Sequence, residues 1–156
     1  MVDLLVNITS LTGIDPTLQT HFDIHPEPKK KLDSITKLDN YLSVCSQLDE
    51  SDWTYFLSIL IPLLGDANYK VETAIVSCLY KLVEVVGDPI VPHIDQIIPD
   101  LYGKLADSRD VVRQKVFDLL LFLFHYVDPE EMMNKLTPGL AHNNFKVRQQ
   151  VLFKNI

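Results

Sequence analysis

Residues 64–72 read LGDANYKVE, and closely similar stretches occur at two later points of the chain. Residues 105–113 read LADSRDVVR, at an offset of 41, and residues 140–148 read LAHNNFKVR, 35 positions further on. In each copy an apolar segment ends at leucine, a short polar turn follows, and a valine begins a new apolar face. The repeated stretch therefore predicts a helix, a turn and a second helix, three times over.

The segments that follow these turns carry apolar residues at helical spacing. In the first two copies these residues are Val71, Ala74, Ile75, Cys78, Leu79 and Leu82, and then Val112, Val116, Leu119, Leu120 and Leu123. Stripes of this kind have to be buried against neighbouring helices. A period near 40 residues is typical of HEAT repeats. The pattern predicts an all-α fold, an α-solenoid of antiparallel HEAT-type helix hairpins with about four repeats.

The helices before the turns are predicted over residues 52–64, 89–105 and 129–140, each with an internal proline. Trp53 is spaced with Phe56, Leu57 and Leu60 on one helix face, which favours core packing over stacking on a ligand.

The predicted helices divide the chain into four repeats. Repeat 1 covers about residues 1–48, with a short helix over 2–11, a long loop over 12–29 and a second helix over 30–47. Repeats 2, 3 and 4 cover about 51–87, 88–127 and 128–156. The last helix reaches residue 156 without the polar cap that terminal repeats need, so we expect an incomplete fourth repeat and a fragment of a longer array.

Composition narrows the class of function. The net charge of −7 argues against a general nucleic-acid binder, which carries a basic excess. The longest apolar runs, such as 119–124, are far shorter than the roughly 20 residues of a spanning helix, so no membrane association is expected. Cys45 and Cys78 have no metal-binding or disulfide spacing, which favours a reducing intracellular compartment.

No catalytic motif is found, and we expect neither an enzyme nor a bound cofactor or metal. His21 and His25 have the i, i+4 spacing of two metal ligands, but they lie in the proline-flanked loop, where no helix fixes their geometry. The carboxylates of residues 128–131 belong to a first helical turn, where the helix dipole favours acidic side chains.

The turns that join first to second helices fall along one edge of a solenoid and form a continuous surface. The residues predicted on this edge are Lys29, Lys30, Asn68, Tyr69, Lys70, Arg109, Arg113, Asn144, Phe145, Lys146 and Arg148. Every repeat contributes a basic residue, which favours a binding surface. In the alternative interpretation Asp66, Asp107 and Asn143 cap helices, the arginines pair with the aspartates, and Tyr69 and Phe145 pack against neighbouring hairpins.

Residues 64–71 and 142–148 resemble the second and fourth intra-repeat loops of the N-terminal TOG-like domain of the CLIP-associating protein (CLASP) family. The resemblance covers about residues 30–152, with 107–113 at the third loop. It implies a paddle-like HEAT array whose loop edge binds tubulin or microtubules in cytoplasmic and cytoskeletal proteins, including those of the spindle, that stabilise and rescue microtubules. Other microtubule-associated proteins are further implied partners. The tubulin-facing positions that it implies are Asn68, Tyr69, Lys70, Arg109, Asn144, Lys146 and Arg148.

Two other functions stay open from the sequence. A generic HEAT scaffold would bind a peptide or helix on the concave face of its second helices instead of the loop edge. A DNA glycosylase of similar helical-repeat build is disfavoured by the negative net charge of the chain and by the absence of a sequence pattern that combines a carboxylate with pocket aromatics.

Overall fold

The computed structural model describes residues 27–154, and within this range the chain forms seven α-helices and one 3₁₀ helix. The helices are α1 (Pro28–Val44), α2 (Glu50–Leu63), α3 (Tyr69–Val86), the 3₁₀ helix (Asp88–His93), α4 (Ile94–Lys104), α5 (Asp110–Leu123), α6 (Pro129–Leu140) and α7 (Phe145–Lys154). The predicted helix over 2–11, most of the predicted loop over 12–29 and the pair His21 and His25 lie outside the described residues.

The helices pack in two layers. In the first layer α2 contacts α4, and α4 contacts α6; in the second layer α1 packs on α3, and α3 packs on α5. Short turns join α2 to α3, α4 to α5 and α6 to α7, and the two helices of each pair contact each other. We call α2, α4 and α6 the first helices and α1, α3, α5 and α7 the second helices. The predicted α-solenoid of antiparallel helix hairpins is confirmed.

A continuous apolar core lies between the two layers. Most of the residues predicted on the helix stripes are fully buried, among them Val71, Ile75, Leu79, Leu82, Val112, Val116 and Leu119. Trp53 is 4% exposed, packs in the core as predicted, and meets the His93 ring edge to face, with the ring centroids 4.9 Å apart. Because each stripe is buried against helices of two neighbouring pairs, the pairs stabilise one another.

Three sequence predictions need correction. The loop predicted to extend to residue 29 ends earlier, because Pro28 and Lys29 already belong to α1, where proline suits the first helical position. The helix predicted over 89–105 is divided, with a 3₁₀ segment over its first residues before α4 begins at Ile94. Pro92 within that segment cannot donate a backbone hydrogen bond, which disfavours a regular α-helix there. The helix predicted over 30–47 ends at Val44, so Cys45 caps α1 instead of lying within it.

Both cysteines are free thiols. Burial, with a further contribution from the charge of Asp39, raises the pKa of Cys78 to about 12, so this thiol stays neutral in the core. No helix in residues 27–154 is long and apolar enough to cross a membrane. In the same range no group of three or more His, Cys, Asp or Glu side chains is arranged to hold a metal ion.

Candidate binding edge

Three turns join first to second helices and are built alike; we number them by repeat as the second (64–68), third (105–109) and fourth (141–144) turns. In each turn one side chain accepts a hydrogen bond from the backbone N–H two residues later. Asp66 Oδ1 accepts from Asn68 (2.8 Å), Asp107 Oδ1 accepts from Arg109 (2.7 Å), and His142 Nδ1 accepts from Asn144 (3.1 Å). Local hydrogen bonds of this kind fix tight turns. The second helices consequently all begin at one edge, together with the start of α1 at residues 27–30. We call this surface the loop edge.

Asparagine side chains cap two of the second helices at this edge. Asn68 Oδ1 accepts from the backbone N–H of Lys70, and Asn144 Oδ1 accepts from that of Lys146, both at 3.0 Å. Arg109 holds the same position in the third turn and has no side-chain cap bond. The alternative in which Asn143 caps α7 is therefore wrong by one residue, since the cap is Asn144.

Two predicted edge arginines point back onto their own turns. Arg113 Nη1 donates to the backbone carbonyl of Asp107 (2.6 Å), and its Nη2 lies 2.8 Å from Asp110 Oδ1. Arg148 Nη1 donates to the carbonyls of His142 (2.6 Å) and Asn143 (3.0 Å). Both guanidinium groups therefore satisfy turn carbonyls six residues earlier and hold the shape of the third and fourth turns.

The second turn is held by its neighbours instead. Glu72 occupies the position of Arg113 and Arg148; it is almost fully buried and forms an ion pair with Lys104 at the end of α4, at 2.5 Å. Asp66 pairs with Lys31 of α1, with Nζ and Oδ2 2.7 Å apart. Burial by itself raises the pKa of Asp66, but the bonds from Lys31 and Asn68 and the lysine charge outweigh it and leave the pKa lowered.

An aromatic contact joins the second and third turns. The guanidinium of Arg109 lies over the Tyr69 ring, 4.7 Å from its centroid, and Arg109 also lies near Asp107 (3.5 Å). A cation over an aromatic face is attracted by the ring quadrupole. Tyr69 therefore has the Arg109 guanidinium over its ring, and 37% of its surface is exposed.

The lysines of the edge are the predicted residues most available to a partner. Lys29, Lys30, Lys70 and Lys146 are all exposed. Lys30 pairs with Glu27 (3.1 Å), whereas Lys70 and Lys146 form no ion pair with any residue in 27–154. The latter two occupy equivalent positions, the second residues of α3 and α7. The structure thus places Lys70 and Lys146 in register along the edge, with no acid in the described range to neutralise them.

Two apolar residues of the edge are exposed in the structure. Val111, the equivalent of Lys70 and Lys146, is 48% exposed, and Phe145, the equivalent of Tyr69, is 60% exposed. The sequence predicted Phe145 on the edge but not Val111. Its position one residue before the buried Val112 is the signal that could have placed it outside the core.

Comparison with known proteins agrees with the family resemblance noted in the sequence. No family model matches the chain. The chain is 30% identical over 97 residues to the TOG array regulator of axonemal microtubules protein 1 of Mus musculus, covering 62% of this chain and 6% of that protein. It is 28% identical over 105 residues to the CLIP-associating protein of Drosophila melanogaster, covering 65% of this chain and 7% of that protein. The chain is therefore similar in sequence to TOG array and CLIP-associating proteins.

Solved structures support the same fold. The MAST/Orbit N-terminal domain superposes on this chain with a TM-score of 0.76 at 23% identity, covering 92% of this chain and 64% of that one. A crescerin structure, described as a TOG domain array that regulates microtubules in the primary cilium, gives 0.76 at 23% identity, with 89% and 57% covered. A structure concerned with tubulin recruitment by microtubule polymerases with TOG domain arrays gives 0.75 at 18%, with 87% and 29% covered. The chain spans only a small fraction of the length of the curated relatives that it matches.

Proposed function

We propose that this TOG-like domain is a non-catalytic, microtubule-regulating module that binds tubulin through its loop edge. The observation that carries the proposal is the exposed pair Lys70 and Lys146, held in register at the starts of α3 and α7 without an acidic partner in residues 27–154. Unneutralised cations on the surface of a chain with a net charge of −7 favour an acidic partner. Tubulin has an acidic surface, and one of the similar structures concerns tubulin recruitment.

Two lysines further along the second layer, Lys81 and Lys115, are engaged within the domain. Lys81 Nζ lies 2.7 Å from Asp39 Oδ2 and 2.6 Å from Ser43 Oγ, and Lys115 donates to Ser77 Oγ at 2.5 Å. These contacts tie α1 to α3 and α3 to α5. The bonded lysines between the second helices support packing and leave fewer free lysines on that surface than on the loop edge, which favours the loop edge over the concave face of a generic scaffold.

The predicted site residues take two roles under this proposal. Lys29, Lys30, Tyr69, Lys70, Arg109 and Lys146 contact the partner. Asn68, Arg113, Asn144 and Arg148 position the turns, because their side chains bond to the backbone of the same turns. The cellular setting that we propose is the cytoplasmic microtubule cytoskeleton, where the domain supports stabilisation and rescue.

The test is tubulin binding by size-exclusion chromatography and microtubule co-pelleting, with Lys70→Glu and Lys146→Glu compared singly with Lys37→Glu. Lys37 is an exposed lysine of α1, about two turns away from the loop edge, so its reversal changes net charge by the same amount. We expect weaker binding by both edge variants and little change with Lys37→Glu. Equal binding by all four proteins would contradict the loop-edge site, and a wild type that binds neither form would favour the scaffold function.

A further inference from the structure

The fourth turn of the loop edge has a histidine where the other two turns have an aspartate. His142 Nδ1 lies 3.1 Å from the backbone nitrogen of Asn144, whereas the equivalent bonds end on carboxylate oxygens of Asp66 and Asp107, at 2.8 and 2.7 Å. All three acceptors lie three residues before the first residue of the following helix. Of the three turns, only the fourth therefore depends on a side chain of the type that changes charge near neutral pH.

The donor of this bond fixes the charge and the tautomer of the His142 ring. The backbone N–H of Asn144 can only donate, so Nδ1 has to be the bare ring nitrogen that accepts. The ring is then neutral and carries its proton on Nε2. An imidazolium has a proton on both nitrogens and cannot accept a hydrogen bond, so the turn loses this bond when the ring is protonated.

The charges around the fourth turn disfavour a protonated ring. Arg148 Nη1 donates to the carbonyl of His142 at 2.6 Å, Lys146 is exposed at the start of the same helix, and the positive end of the α7 dipole lies at this turn. No acid in residues 27–154 forms an ion pair with the His142 ring. The other titratable side chains of the elements packed around the last helix pair are engaged elsewhere: Tyr102 with the Lys135 carbonyl, Lys135 with Asp95 and Glu131, Lys104 with Glu72, Arg109 with Asp107, and Arg113 with Asp110.

We propose that His142 makes the fourth turn a pH-sensitive part of the loop edge, fixed while the ring is neutral and loosened when the ring gains a proton. The inference goes beyond the proposed function, because it concerns the free chain and holds whether or not tubulin binds. Protonation releases the backbone N–H of Asn144, whose side chain caps α7 by accepting from Lys146 at 3.0 Å. Arg148 keeps its bonds to the carbonyls of His142 and Asn143, so the turn loosens without unfolding.

The sign of the effect on stability follows from the charge state that the bond requires. The bond contributes to folding while the ring is neutral. Its contribution is lost as the pH falls through the range near 6.5 in which histidines ordinarily gain a proton. A net hydrogen-bond contribution of the usual size changes the folding equilibrium constant about fivefold. The second and third turns keep their bonds in this range, because aspartates stay charged down to about pH 4.

Two NMR measurements on the wild-type chain test the bond directly. Long-range proton–nitrogen correlation spectra at about pH 8 show which ring nitrogen of His142 carries the proton, and we expect Nε2. The amide signal of Asn144 should then move between about pH 7.5 and 5.5, with the same midpoint as the His142 ring. A proton on Nδ1 at the higher pH, or an Asn144 amide that does not follow the ring, would overturn the proposal.

His142→Asn is the informative variant, because its amide oxygen can accept the same bond and does not titrate. The other histidines are unchanged in this variant, so its difference from wild type isolates His142. In urea unfolding over the same pH interval, the folding equilibrium constant of the wild type should fall about fivefold more than that of His142→Asn. An equal fall in both proteins would assign the pH dependence to other groups and contradict the proposal.

Asp107→His makes the converse change in the third turn. The backbone N–H of Arg109 donates to this side chain in the wild type. We expect the Arg109 amide signal to become dependent on pH near neutrality in the variant, as that of Asn144 is in the wild type. An Arg109 amide that stays independent of pH while the new ring titrates would show that a histidine at this place does not make a turn pH-sensitive, and the proposal would fail.

Discussion

Gly87 ends α3 in a backbone conformation that only glycine adopts without strain. Its φ is 68° and its ψ −139°, and it is the only residue in the described range with a positive φ. A Cβ at this position would meet Tyr126 only at 3.9 Å, so the obstacle to a side chain is conformational and not a lack of space. The sharp reversal lets the 3₁₀ helix start directly after α3 and return to the first layer.

We therefore expect Gly87→Ala to lower the free energy of unfolding by about 1–3 kcal/mol. Gly65→Ala is the matched control, since that glycine lies in the second turn with a negative φ, and an added Cβ would have nothing within 4 Å of it. Urea unfolding followed by circular dichroism measures both. Equal stability of the two variants would contradict this prediction, because it would show that the backbone at residue 87 can adopt a negative φ without loss of stability.

Asp66 links acid stability to the loop edge. Its pKa is lowered in the folded domain, so its charge contributes stability above the pKa of about 3.9 of an unfolded aspartate. That contribution is lost as the pH falls through the lower, folded pKa. We expect Asp66→Asn to be less stable than wild type at pH 7 and to lose less stability between about pH 5 and pH 2.

Asp100→Asn, at an exposed carboxylate of α4, serves as the control for the Asp66 variant. Denaturant midpoints measured at each pH give the comparison. If Asp66→Asn shows the same acid dependence as wild type, the Lys31 pair does not hold the folded carboxylate charged, and the link between α1 and the second turn is weaker than the 2.7 Å distance indicates.

At the scale of helices, the junction of α4, α6 and α7 depends on a close approach at Gly139. A Cβ at this position would lie 3.1 Å from Val151 Cγ2 and 3.3 Å from Tyr102 Cε1. The Tyr102 hydroxyl donates to the backbone carbonyl of Lys135, so the ring has little freedom to move aside. The last helix pair therefore reaches α4 across a residue without a side chain.

We expect Gly139→Ala to lower the free energy of unfolding by about 1 kcal/mol, because overpacking outweighs the gain of about 1 kcal/mol in helix propensity. Gly103→Ala in α4 is the informative control: nothing lies within 4 Å of its Cβ position, so it should stabilise the domain by about 0.5 kcal/mol. Opposite signs in thermal unfolding would confirm the contact. A stabilising Gly139→Ala would contradict it.

The sequence predicted these helices well where apolar spacing is strong and less well at their ends. The stripes of α3 and α5 identified the buried faces, and α6 was predicted with its exact bounds. The 3₁₀ helix was missed because Pro89, near its start, also suits the first turn of a regular helix. The different roles of the edge cations were not predictable, since spacing alone does not show that Arg113 bonds back to the Asp107 carbonyl while Lys70 stays exposed.

Across the whole molecule, the helix pairs are joined by polar contacts as well as by the core. Asp39 and Lys81 join α1 to α3, and Asp95 and Lys135 join α4 to α6, at 2.7 and 2.8 Å. These pairs are partly exposed, and such pairs contribute little individually. The pair between Glu72 and Lys104 differs because Glu72 is buried, so this contact joins the second turn to the third repeat with the carboxylate shielded from water.

Removing Lys104 should leave a buried carboxylate without its partner, which typically costs about 3–5 kcal/mol. We expect Lys104→Ala to lower the free energy of unfolding by an amount toward the lower end of that range, since the lysine itself is partly accessible. Adding Glu72→Gln should restore part of the loss, because a neutral amide is less costly to bury than an unpaired charge. A double-mutant cycle measured by urea unfolding gives the interaction energy between the Glu72 and Lys104 side chains, and the exposed Lys37→Ala serves as the control. Additive losses in the free energy of unfolding would mean that the Glu72–Lys104 pair contributes no interaction energy. Core packing alone would then join the second turn to α4, and the buried helix stripes would set the positions of the turns along the loop edge.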